Sequence, residues 1–250
     1  MMSTRGCALG LMAKAPLAGE VKTRLVPPLT APEAAALNVC FLRDMAANIQ
    51  SVSETEAASG VVVYTPAGAE AAFDEVLPAG FELLAQRGAS LGERLCNATD
   101  DLLKEGYGAV CLINSDSPTL PRSLLIQAIE LIATDGDRVV LGPAEDGGYY
   151  LIGLKHAHAN LFDRIAWSTS DVLAQTNERA AEIDLPVEML PPWYDVDDAE
   201  TLNQLCEEIF FTPCLNGAYP APHTRAFLGS IVKREGPQRI CPKLLRRPPV

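Results

Sequence analysis

The chain has 250 residues, 48% of them hydrophobic, and its 32 Asp and Glu against 20 Lys and Arg give a net charge of −12. That length allows one large α/β domain or two small ones. A chain of this size buries roughly 70–75% of its unfolded surface without help from disulfides, and its acidic balance argues against nucleic acid as the main partner. No apolar run reaches the ~18 residues of a membrane span, and the first residues lack the layout of a secretion signal. The seven cysteines, Cys7, Cys40, Cys96, Cys111, Cys206, Cys214 and Cys241, form no C-x-x-C pair. The expectation is buried, reduced thiols in a cytoplasmic protein.

The apolar run Cys7–Ala13 reads as a first strand. Residues 14–29 form a loop with three prolines and several cations. Thr30 and Glu33 make a capping box, and an apolar-periodic helix follows to about Ile49. Gly60–Thr65 (GVVVYT) is a β-branched strand. A helix is expected around Ala69–Val76, a short strand at Phe81–Ala85 and a helix over Leu91–Glu105. Val110–Ile113 is a buried strand that ends at Asp116. Pro121 opens a helix to about Ala133. Strands follow at Arg138–Leu141 and Tyr149–Leu154, then helices over Asp171–Glu182 and Asp197–Phe210. Alternating strands and helices predict an α/β class with a mostly parallel sheet. The pattern fades after Phe211. Residues 211–250 carry seven Lys and Arg (Arg225, Lys233, Arg234, Arg239, Lys243, Arg246, Arg247) against Glu235 alone, a tail of +6 on a body of −18. Such a tail reads as solvated, with contact to a phosphate, an anionic membrane surface or the acidic body as alternatives.

Chemistry concentrates at a few points. Ligands of open α/β sheets bind beyond the carboxyl ends of the strands, so Asp116 stands where a metal or phosphate would be held. The loop Lys14–Leu25 (KAPLAGEVKTRL) follows the first strand and offers Lys14, Lys22 and Arg24 to phosphates. It is neither a P-loop nor a G-x-G-x-x-G. Magnesium takes one or two carboxylates plus substrate phosphates, and Asp195 or Asp197 in WYDVDD (193–198) is the expected second acid. Asp197 is equally an expected helix N-cap. In Glu145–Leu154 (EDGGYYLIGL), Gly147–Gly148 permits a close ligand approach or a positive-φ turn, and Asp146 is a candidate base. Asp-Gly is also a plain hairpin signal. Trp167 precedes a helix as a candidate pocket wall. His156 and His158 are two apart, the wrong spacing for one helical face, and are assigned no catalytic role. Ser90, Ser115 and Ser117 lack a neighbouring base, which leaves a hydrolase triad unsupported.

In order along residues 7–208 stand K-A-P-x-x-G-x-V-K-T-R-L (14–25), Q-x-G-x-x-L-G-x-R-L (86–95), SDSPTLP (115–121), EDGGYYLIGL (145–154) and WYDVDD (193–198). This set resembles the bacterial glycosyltransferase family of the radical-SAM/selenodomain-associated type, within the nucleotide-diphospho-sugar transferase superfamily. The resemblance extends more weakly to 2-phospho-L-lactate and molybdenum-cofactor guanylyltransferases. It implies a three-layer GT-A-like α/β fold over residues 1–210, with 211–250 a basic Pro-rich extension. It further implies Lys22 and Arg24 on nucleotide phosphates, and Gln86, Gly88 and Gly92 near the base or ribose. Asp116 and Asp197, with Asp195 beside them, would hold Mg²⁺ or Mn²⁺, and Asp146, Gly147, Gly148, Tyr149 and Trp167 would face the acceptor. The G-x-G-T-R-M loop of sugar nucleotidylyltransferases is absent, and only K-T-R-L of it stands here.

Three readings follow. The first is Mg²⁺-dependent glycosyl transfer from a nucleotide-diphospho-sugar to a small-molecule or lipid-linked acceptor, with Asp116, Asp146 and Lys22 as catalytic residues. The second is nucleotidyl transfer from an NTP to a phosphorylated small molecule. The third is nucleotide binding without catalysis. Both reactions develop negative charge on a phosphate leaving group, which Mg²⁺ with Lys and Arg would neutralise.

Overall fold

A computed structural model describes residues 5–212 and 215–242. Cys214, Lys243, Arg246 and Arg247 lie outside the described residues. The strands are β1 (Cys7–Lys14), β2 (Ala58–Thr65), β3 (Glu82–Ala85), β4 (Ala109–Asn114), β5 (Val139–Pro143), β6 (Tyr149–Leu154) and β7 (Val187–Met189). The helices are α1 (Ala31–Ser53), α2 (Leu91–Lys104), α3 (Arg122–Ala133), α4 (Val172–Glu182), α5 (Ala199–Phe211) and α6 (Pro222–Glu235). One seven-stranded sheet runs in the order β3-β2-β1-β4-β6-β5-β7. All neighbours pair in parallel except at β6, which is antiparallel to both β4 and β5.

Side-chain alternation along the strands builds the layers. On one face Leu9, Leu11, Cys111 and Ile113 pack against Leu42, Met45 and Ile49 of α1 and Leu125 and Ile132 of α3. On the other, Val61, Val63, Val110 and Leu112 meet Leu95, Ala98 and Leu102 of α2. Burial on both faces is why β4 reads as an unbroken apolar run. α1 starts at the expected capping box: the Thr30 hydroxyl accepts from Glu33 N–H, and Thr30 N–H donates to Glu33 Oε2 at 2.9 Å. It runs on to Ser53, beyond the expected end at Ile49.

Three expectations are corrected. Residues 69–76 hold only a 3₁₀ turn at Glu70–Ala72, in a segment bracketed by Gly68 and Gly80, both at positive φ. Cys206 and Cys241 are not free thiols. They form a disulfide with a Cα–Cα distance of 6.0 Å, in a third apolar cluster made by α1, α5 and α6. Cys7, Cys40, Cys96 and Cys111 are free. The basic segment does not float in solvent over its described part. Leu228 and Ile231 of α6 are buried, and the N-terminal N–H groups of His223 and Thr224 donate to the buried Asp44 carboxylate of α1 at 3.0 and 2.8 Å. Arg234 and Arg239 then pair with Glu33, so this segment meets the acidic body. Strand β7 and helix α6 carry too few apolar positions to stand out in the sequence. No helix among the described residues is long and apolar enough to cross a membrane.

Candidate active site

At the carboxyl ends of β1 and β4, two chain segments converge on one ammonium. Lys22 Nζ lies 2.7 Å from Asp116 Oδ1, 3.0 Å from Asp197 Oδ1 and 2.8 Å from the Val196 carbonyl. The Lys22 side chain is 5% exposed. Its backbone sits in the left-handed region at φ 50°, a conformation that costs a non-glycine residue about 1 kcal/mol or more and persists only where surroundings enforce it. Arg24, exposed, also pairs with the Asp197 carboxylate. Burial works against the Lys22 charge, but Asp116 and Asp197 outweigh it and raise its pKa. Burial likewise works to raise the Asp197 carboxyl, and Lys22 and Arg24 bring it below the usual range.

The WYDVDD segment reaches this point because it continues from β7 alongside the carboxyl end of β5, where Trp193 bridges Ala144 in parallel. Trp193 N–H donates to the Pro143 carbonyl at 3.0 Å, and Val196 N–H to the Asp116 carbonyl at 2.8 Å. The helix cap here is Asp198, whose Oδ1 accepts from the Glu200 and Thr201 N–H groups. Asp197, the expected cap, is thereby left to face Lys22 and Arg24.

Two cavities meet at this cluster. The smaller, about 240 Å³, is lined by Lys14, Lys22, Thr23, Arg24, Ser115, Asp116, Asp197 and Asn38. Asn38 is 4% exposed and its Oδ1 has no hydrogen-bond partner. Sequence reasoning missed it, although an Asn among Leu37, Phe41 and Leu42 on a buried helix face is a readable anomaly. The larger, about 480 Å³, shares Arg24, Asp116 and Asp197 and adds Asn114, Asp146, Gly148, Tyr149, Trp167 and Asp195. Asp195 forms no ion pair among the described residues. Burial, then the charges of Asp146, Asp197 and Asp116, push its carboxyl up to about 6. Asp146 is exposed and uses Oδ1 to hold the Gly148 N–H at 2.8 Å.

Other expected residues have structural duties. Gly147 has φ +91°, and a Cβ there would lie 2.2 Å from the Ser170 carbonyl oxygen, so glycine lets this turn pass under the start of α4. Gly88, at φ +125°, packs against Glu93 and lines none of the cavities described here. Gln86 also lines none: its amide donates to the Val63 carbonyl at 2.7 Å. Gly92 admits the Trp167 indole, which a Cβ would meet at 2.8 Å. Both line a third cavity, and Trp167 is the wall it shares with the 480 Å³ cavity.

Comparison with the curated proteins found no match. Residues 48–169 match the family described as "Uncharacterized protein conserved in bacteria (DUF2064)". Among solved structures, a Desulfovibrio desulfuricans G20 protein provisionally named a nucleotide-diphospho-sugar transferase is 30% identical. The match covers 94% of this chain and 99% of that one, with a TM-score of 0.80. A cytidylyltransferase from Leptospira borgpetersenii (13% identity, 95% and 97% coverage, TM-score 0.53) and Rv0371c of Mycobacterium tuberculosis H37Rv (15%, 83% and 100%, 0.50) share the fold. By identity and coverage, the protein belongs to the family of the Desulfovibrio desulfuricans protein and has its nucleotide-diphospho-sugar transferase fold.

Proposed function

We propose that the protein is a transferase that moves a glycosyl group from a nucleotide-diphospho-sugar to the hydroxyl of a small-molecule or lipid-linked acceptor. One observation carries this reading: Lys22, Arg24, Asp116 and Asp197 form a charged junction between two cavities, of about 240 and 480 Å³. A diphosphate lying across the junction would leave the nucleotide on one side and the sugar and acceptor on the other. The kinship with the Desulfovibrio desulfuricans protein supports it.

The donor set fits a hard divalent cation such as Mg²⁺ or Mn²⁺. Asp116 and Asp197 offer carboxylate oxygens, each about one-third exposed, that already meet on a single positive charge. Bound there, the cation would supply charge neutralisation at the diphosphate. In the transfer, the bond between the anomeric carbon and the diphosphate oxygen breaks, and its electron pair leaves with the nucleoside diphosphate. Lys22, buried, and Arg24, exposed, stabilise that charge. The acceptor oxygen bonds the anomeric carbon, and its proton passes to a carboxylate of the larger cavity. Asp195 suits that role better than Asp146, because Asp195 is free of cations and Asp146 is committed to the Gly148 N–H. Trp167 and Tyr149 offer aromatic surface to a sugar face.

The test is to incubate the protein with nucleotide sugars and NTPs in Mg²⁺ or Mn²⁺ and identify the leaving group. The reading expects nucleoside diphosphate from one nucleotide sugar, lost in Asp116→Asn. Pyrophosphate from an NTP would replace it with nucleotidyl transfer.

A further inference from the structure

A second cluster of ligating side chains lies at the opposite end of the sheet, away from Lys22. Asp137 precedes β5, while His156 and His158 follow β6, and the antiparallel pairing of Val139 with Leu154 brings the two segments together. His156 Nδ1 stands 3.2 Å from Asp137 Oδ1, and His158 Nε2 2.8 Å from Asp137 Oδ2. One donor atom from each residue lies within 4.8 Å of the others, the one such trio of His, Cys, Asp or Glu among the described residues. The spacing of two that rules out a shared helical face serves here, because the chain bends at residues 155–156 and His158 N–H closes on the His156 carbonyl at 3.1 Å.

We propose that Asp137, His156 and His158 form a binding site for a borderline divalent transition metal, with zinc as the representative ion. Two imidazole nitrogens and a carboxylate suit Zn²⁺, Ni²⁺ or Co²⁺ rather than Mg²⁺ or Ca²⁺. Around a tetrahedral ion with bonds of ~2.0–2.1 Å, neighbouring ligand atoms stand roughly 3.3 Å apart, and the three ligand atoms here, all within 4.8 Å of one another, close onto such an ion by small side-chain rotations. Three protein ligands leave a fourth position for water.

The supporting contacts hold this arrangement in place. Lys155 Nζ clasps the carbonyls of Thr134 and Gly136, the latter at 3.0 Å, and so ties the turn carrying Asp137 to the segment after β6 that carries the histidines. Arg138 binds the Asp135 carbonyl at 2.6 Å and its N–H donates to Asp137 Oδ1 at 3.0 Å. These contacts fix the main chain on both sides of the trio and orient the Asp137 carboxylate toward the histidines. An ion here would also pin residues 155–158, whose continuation through the 3₁₀ turn Ala159–Phe162 lines the third cavity up to Trp167.

The proposal is tested on chelator-stripped full-length protein titrated with Zn²⁺ against a chromophoric competitor. Free cysteines and the Asp116 cluster also attract zinc, so the decisive quantity is the difference between variants. Wild type is expected to bind one more equivalent than Asp137→Asn or His158→Ala, and Asp116→Asn one more than the double variant Asp116→Asn with His156→Ala, each with a zinc-induced rise in melting temperature that the variant lacking the trio does not show. His156 is two-thirds exposed, so His156→Ala keeps the test valid should His158→Ala fold poorly. Co²⁺ should give a visible d–d absorption in wild type and in Asp116→Asn that is weaker by one site's share in Asp137→Asn. Equal zinc stoichiometry and equal thermal shifts in wild type and His156→Ala would overturn the proposal.

Discussion

Lys22 Nζ lies 2.7 Å from Asp116 Oδ1, inside the space where a cation held by Asp116 and Asp197 would sit. The ammonium and a divalent ion therefore compete for the same oxygens until phosphates draw the lysine toward themselves. Lys22→Met should bind Mn²⁺ more tightly than wild type when no nucleotide is present, yet lose roughly tenfold or more in nucleoside-diphosphate affinity, about 1.4 kcal/mol. A Mn²⁺ titration followed by electron paramagnetic resonance checks the first effect. Equal Mn²⁺ affinity in both proteins would remove Lys22 from the cation site.

Asn38 predicts a trade of stability against binding. Its buried, unpartnered Oδ1 costs the unliganded fold on the order of 1–3 kcal/mol. Asn38→Leu should keep or raise the melting temperature while weakening nucleotide binding several-fold. Calorimetric melting and binding on the same variant separate the two effects, and a variant that melts early with unchanged affinity would mark Asn38 as merely structural.

Glu33 predicts acid sensitivity where α1 meets the C-terminal segment. Burial alone would raise its carboxyl, but Arg239 and Thr30 outweigh that and lower it from 4.5 to about 2. A depressed carboxyl stabilises the fold above its unfolded value, and that stability is lost as pH falls from about 4.5 to about 2. Because the pair lies near the surface, the contribution is about 1–2 kcal/mol, cap included. Denaturant unfolding of Glu33→Gln should show this loss at pH 7, converging with wild type near pH 2.

The Cys206–Cys241 bond closes a loop with a sequence separation of 35. Constraint of the unfolded chain by a loop of that length is worth up to about 4 kcal/mol. Reduction, or Cys206→Ser with Cys241→Ser, should lower the melting temperature and free α6 first. Hydrogen exchange confined to α6 and its contacts on α1 would register that release.

The parallel sheet was legible because β1, β2 and β4 are buried on both faces and leave long apolar runs. α1 was legible through Thr30 and Glu33, whose capping contacts are local. The Lys22–Asp116–Asp197 cluster was legible only in part. Each residue stood in a motif, but their meeting depends on the chain crossing from Trp193 to Val196 along β5 and β4, which no local pattern encodes. Asp198 took the cap assigned to Asp197 because its side chain reaches two N–H groups. The disulfide and α6 escaped notice because their partners, Cys206, Asp44 and Glu33, are remote in sequence. The meeting of Asp137 with His156 and His158 was hidden for the same reason: strand pairing, not helix spacing, joins them.

The most direct test of the central claim is thermal shift of wild type and Asp116→Asn with nucleotide sugars, nucleoside diphosphates and NTPs, each with and without Mg²⁺. A ligand at ~100 times its dissociation constant adds about 2.7 kcal/mol, a plainly visible shift. The account predicts Mg²⁺-dependent stabilisation of wild type, largest with one nucleotide sugar and lost in Asp116→Asn. No shift with any nucleotide, or an equal shift in the variant, would contradict it.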